Sequence, residues 1–96
     1  FKMSQTIDPR KLPVGDQKAA IRADTVASEV IAATKEETGL QPRIITVGKK
    51  EPLMYHIDTR LIVLSDGLVN ECKDDDQLAA LVSYELARMV SERESQ

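Results

Sequence analysis

The last helical stretch, residues 74–90, constrains this chain most, because its pattern sets a carboxylate among apolar side chains. Leu78, Val82, Leu86 and Met89 recur at helical spacing, with Leu81 on one flank of the stripe and Val90 on the other. At about 100° per residue, Glu85 falls inside that stripe, between Leu81, Val82 and Met89. A carboxylate on the buried side of a helix is uncommon and requires a partner. Arg88, three positions on, shares the face and is the local candidate; Arg22, Arg43 and His56 are candidates from other elements. On the competing reading Glu85 lies at the edge of the stripe, partly solvated, with Arg88 in water.

The residues around Glu85 carry a motif. Tyr84-Glu85-Leu86-Ala87-Arg88 has the outline of the zinc-peptidase signature H-E-x-x-H, with Tyr84 and Arg88 where the two histidines stand. The run Ile62–Val69, an acidic turn and then Asp76–Val82 resemble the strand, Gly-Leu turn and helix of the M48 peptidases, which are gluzincin metallopeptidases. The resemblance covers roughly the C-terminal two thirds of the chain. It implies a zincin-like fold in which the outer strand of a hairpin lies along the substrate cleft. In such enzymes two histidines and a downstream glutamate hold zinc, and the glutamate between the histidines activates the metal-bound water.

The residues at those positions oppose a metal. A catalytic zinc needs three protein ligands and an open position. This chain has one histidine, His56, on a strand, and one cysteine, Cys72, in a loop. Tyr84 carries a phenol that is protonated at neutral pH, and Arg88 has no lone pair to donate. Glu92 and Glu94 sit too close on the same helix to act as the third ligand. No metal and no cofactor is therefore expected, and Tyr84, Glu85 and Arg88 are read as vestigial motif positions. The implied function is an inactive, peptidase-like domain that binds a peptide or protein at a sheet edge, with Leu53, Met54, Tyr55 and His56 as the binding stretch. The alternatives are a structural or dimerising module of a larger protein and, last, residual zinc-dependent hydrolysis. His56 on its own reads as a strand surface residue, Tyr84 as a packing residue and Cys72 as an incidental thiol.

Size and charge narrow the remaining classes. A chain of 96 residues can bury one modest core, and a net charge of −3 gives no electrostatic reason to expect nucleic acid. No run reaches the length of a membrane span, the opening residues do not read as a signal peptide, and the compartment stays open. The chain opens on Phe1 rather than methionine, which reads as a piece of something longer.

In order, residues 1–14 hold two prolines and no sustained period and are expected to be an arm or linker, with residues 15–96 as one minimal domain. Asp16 is a helix cap and Gly39 a stop, and between them Ala19, Ala23, Val26, Ala27, Val30, Ala33 and Thr34 form a single stripe. Ile21 falls off that stripe, either exposed or covered by the arm. A strand is predicted over 43–47, and a second over 53–57 that alternates Leu53, Tyr55 and Ile57 against Met54 and His56. Asp58-Thr59-Arg60 closes a hairpin onto Leu61-Ile62-Val63-Leu64, which is apolar throughout and expected to be covered on both faces. Residues 65–69 read as a turn with one helical turn, and Asp74 or Asp75 caps the last helix. The order predicts an α+β domain: an N-terminal helix, a small three-stranded sheet with a hairpin, and a C-terminal helix, which the M48 resemblance places at the zincin active-site position.

Overall fold

The computed structural model describes residues 7–95. After a single 3₁₀ turn at Pro9–Lys11 come α1 (Gln17–Thr38), β1 (Arg43–Val47), β2 (Met54–Ile57), β3 (Leu61–Ser65), α2 (Asp66–Glu71) and α3 (Asp75–Glu94). The α+β architecture expected from the sequence is the one that forms. Of the arm read over residues 1–14, the first six lie outside the described residues.

The strand with no polar alternation takes the centre. The sheet runs β1-β3-β2, with β3 parallel to β1 and antiparallel to β2. Ile62, Val63 and Leu64 are fully buried, as a run covered on both faces must be. The hairpin closes as its turn residues dictate: Asp58 takes φ 52°, and the Arg60 N–H donates to the Ile57 carbonyl at 3.2 Å. Because β2 lies on the far side of β3 from β1, the segment after β1 must cross the end of the central strand. Ser65 fastens that crossing. Its hydroxyl donates to the Glu51 carbonyl at 2.6 Å and accepts the Leu53 N–H at 3.0 Å and the Leu68 N–H at 3.1 Å. The last of these bonds caps α2, which extends the expected single turn to six residues. Gly67 lies beneath the same segment, donating its N–H to the Lys49 carbonyl at 2.9 Å; a Cβ there would run into the Lys50 carbonyl.

Both long helices pack on one face of the sheet. Asp16 caps α1 by accepting the N–H groups of Lys18 and Ala19, and Gly39, at φ 69°, ends it. The buried face is Ala19, Ala23, Val26, Ala27 and Ile31. Ile31, one turn beyond Ala27, takes the place expected of Ala33, which is exposed; Ile21 is exposed as well. In α3 the stripe Leu78, Val82, Leu86 and Met89 is buried together with Glu85, and Asp74 is the cap, accepting the Gln77 N–H at 2.9 Å. These faces and Met54, Ile62, Leu64, Leu68 and Val69 form the main core.

The other face carries a smaller core of Val47, Tyr55 and Val63, covered by Ile7 and Leu12 from the arm. The Tyr55 hydroxyl donates to the Ile7 carbonyl at 2.5 Å. The arm then reaches the outer edge of β1, where the Gly15 N–H donates to the Thr46 carbonyl and the Gly48 N–H to the Pro13 carbonyl. Residues 7–15 thus pack on the domain itself.

Candidate functional site

Glu85 is fully buried, and both of its oxygens are engaged. His56 Nδ1 lies 2.5 Å from Oε2, and Arg88 Nη1 lies 3.3 Å from Oε1. The far ring nitrogen of His56, Nε2, lies 2.9 Å from Glu92 Oε1, and Arg88 Nη2 lies 3.8 Å from Glu92 Oε2. Two acids and two cations therefore alternate around a ring that joins the edge strand β2 to the last turns of α3.

Local structure explains each position. Glu85, Arg88 and Glu92 lie at i, i+3 and i+7 and so share one face of α3. Tyr55 and Ile57 of β2, with Leu53 just before it, face the smaller core, which turns Met54 and His56 toward the helices. His56 was expected on the surface; its side chain is instead only 8 % exposed, because the strand's inward face runs directly beneath Glu85. Of the other candidate partners, Arg22 is held by Asp75 and by the carbonyls of Val69 and Cys72. Arg43 lies on the sheet face turned away from α3, in line with Ile45. Glu85 thus draws on two cations, and the histidine is the nearer.

The geometry favours the protonated form of His56. Each ring nitrogen faces a carboxyl oxygen, and with both acids ionised a neutral imidazole would set its bare nitrogen against a carboxylate. As imidazolium it donates to both. Burial opposes that charge, but the hydrogen bonds to Glu85 and Glu92 outweigh it and raise the His56 pKa above 6.5.

The zinc that the M48 resemblance implies does not fit these residues. His56 directs its two nitrogens to carboxylates on opposite sides of its ring, so the three groups cannot converge on one ion. Arg88 sets a guanidinium against the remaining oxygen of Glu85, and Tyr84 is 58 % exposed. Among the described residues no cluster of three histidine, cysteine, aspartate or glutamate side chains could hold a metal ion.

The proposed binding stretch divides. Met54 is buried in the main core and Tyr55 in the smaller one, so their side chains are committed to packing. The backbone of the strand is not. The Ser65 N–H donates to the Leu53 carbonyl, which makes 53/65 a bonded pair; by alternation 55/63 and 57/61 are bonded too. The N–H and C=O groups of Met54 and His56 therefore point away from β3, and among the described residues no other strand pairs with them. Tyr84 borders a separate apolar hollow of about 520 Å³ between α2 and α3, with Leu68, Cys72, Ala80 and Leu81. Burial holds the Cys72 thiol above its ordinary pKa.

Two contacts escape sequence reasoning: the bond from His56 to Glu92 and the triple use of Ser65. The helical spacing of Glu85 and Glu92 carries a signal for the first, but not the strand residue that faces them. No helix among the described residues is long and apolar enough to cross a membrane. No protein-family model matches the chain, and no curated protein matches it.

Proposed function

We propose that this domain is a non-catalytic, peptidase-like binding module that takes an extended peptide along the outer edge of β2. The observation that carries the reading is the state of Glu85. The carboxylate at the motif position of a water-activating base is sealed from solvent and held by His56 and Arg88. A base so placed is shut off from solvent and has both oxygens engaged by cations, so neither is free to take a proton from an attacking water. The outward backbone groups of Met54 and His56, which pair with no strand among the described residues, supply the donors and acceptors that strand addition needs. The resemblance to M48 peptidases supports the same edge as the binding strand.

The test combines two measurements on purified protein. Zinc titration followed by metal analysis and a casein digestion assay should give no stoichiometric metal and no cleavage. A mixture of unstructured peptides of varied sequence should protect the Met54 and His56 amides from hydrogen exchange. Bound zinc with casein cleavage would overturn the inactive reading; unchanged exchange at both amides would overturn the binding edge.

One observation favours a second reading, a structural or dimerising module. Exposed Tyr84 and the hollow beside it present apolar surface of the kind another protein surface covers. A solution mass that doubles with concentration and reverts to monomer in Tyr84→Ser would favour it over the first.

A further inference from the structure

The arm covers only part of the sheet's outer face. Its 3₁₀ turn, capped by Asp8, borders a cleft at the end where β1 and β3 begin and β2 finishes. Arg43, Leu61 and Ile57 form one row across the strands there, because Arg43 pairs with Leu61 and Leu61 with Ile57. The space left between that row and the turn is a cleft of about 600 Å³, lined by Asp8, Pro9, Arg10, Arg43, Ile45, Ile57, Arg60 and Leu61. Ile45, Ile57 and Leu61 make its floor, and all three are only partly buried.

Its charge is opposite in sign to that of the whole chain, which is −3. Three arginines and one aspartate line the cleft. Arg10 is bound to Asp8 through Nε and Nη2, at distances of 2.8 to 3.2 Å. Arg60 gives only Nη2 to Asp58, at 3.1 Å. No hydrogen bond or ion pair of the Arg43 guanidinium is present among the described residues. A planar guanidinium whose donor fork no described residue engages, beside an apolar floor, suits a carboxylate carried on a hydrocarbon body. The volume falls within the range of small-molecule sites.

We propose that this cleft is a binding site for a small amphipathic carboxylate, whose head pairs with Arg43 and Arg60 and whose apolar body lies on Ile45, Ile57 and Leu61. The site is separate from the Glu85 ring and from the outer edge of β2, so it stands whatever that edge binds.

Octanoate is the probe, with octanol and acetate as controls that keep only its body or only its head. In an amide-resolved NMR titration, octanoate should shift Arg43, Ile45, Ile57, Arg60 and Leu61 saturably. Each control should bind at least about tenfold more weakly, octanol because it lacks the charge-assisted contact and acetate because it buries no apolar body. Arg43→Gln, at an exposed position that leaves the cores untouched, should weaken octanoate by about tenfold and leave octanol unchanged. Equal binding of octanoate and octanol, or no loss in Arg43→Gln, would reduce the cleft to an apolar dent. Shifts that never saturate, or that centre on other residues, would overturn the site altogether.

Discussion

His56 and Glu85 depend on each other for their charge. Glu85 has no exposed surface, so its negative charge persists in the core only beside His56 and Arg88. Glu85→Ala leaves an imidazolium and a guanidinium beside an apolar hole and should cost about 3 kcal/mol or more of unfolding free energy. Glu92→Ala removes a partner that is 55 % exposed and should cost less than about 1 kcal/mol. Urea unfolding of the two variants under one condition checks the contrast. The same ring sets a pH dependence. The folded-state pKa of His56 lies above its unfolded value of about 6.5, so its contribution is complete below that value. It is lost as pH rises through the folded-state pKa. The groups facing the ring are Glu85, Glu92 and Arg88, and no second histidine exists to confuse the assignment. Unfolding free energy should therefore fall between near-neutral and mildly alkaline pH, and His56→Gln should flatten that slope. A slope that survives in the variant would refute the assignment.

Single side chains also fasten whole elements to one another. From the face of α1, Arg22 caps the end of α2, giving Nη1 to the Val69 carbonyl at 2.9 Å and Nη2 to the Cys72 carbonyl at 3.1 Å. Its Nε reaches Asp75, in the first turn of α3, at 2.9 Å. Three helices meet on one guanidinium, and only a planar fork serves three directions at once. Arg22→Ala should lose about 2 kcal/mol, the scale of hydrogen bonds to a charged group, and Arg22→Lys should recover little of it. Chemical denaturation of both variants tests the claim, and full rescue by lysine would contradict it. At this scale the sequence is readable wherever a residue acts on its own neighbours. Asp16 and Gly39 bound α1, Asp74 starts α3, and the alternation in β2 sorts its two faces. It is unreadable where partners lie far apart. Nothing local tells Leu61–Leu64 that β1 will lie parallel on one side of it and β2 antiparallel on the other. Ser65 is likewise an ordinary cap by sequence, and only the crossing segment adds Glu51 and Leu53 as its partners.

The whole molecule is a sheet with unequal covers. One face carries two long helices, and the other carries the arm, whose Ile7 and Leu12 cover Val47, Tyr55 and Val63. The same inequality explains what the sequence hides about the candidate site. The helical stripe identifies Glu85, yet the partner on β2 depends on which face of the hairpin the helices claim, and the arm settles that by claiming the other. An arm with two prolines and no period gives no sign that it will pack. Removing residues 1–12 should therefore uncover the smaller core while the main core, on the opposite side of β3, keeps α1 and α3 folded. Helical circular dichroism should persist, with a lower melting temperature and greater exposure of apolar surface to a fluorescent probe. Tyr55 reports the change directly. In the intact chain its phenol titrates above 10, chiefly because it is buried and further because the Asp8 carboxylate is near. Truncation removes both causes, so in a Tyr84→Phe background the phenolate absorbance should appear at lower pH in the shortened chain. An unchanged Tyr55 titration would mean that the arm does not cover this face in solution, and loss of the helical signal would mean that the two cores are one cooperative unit.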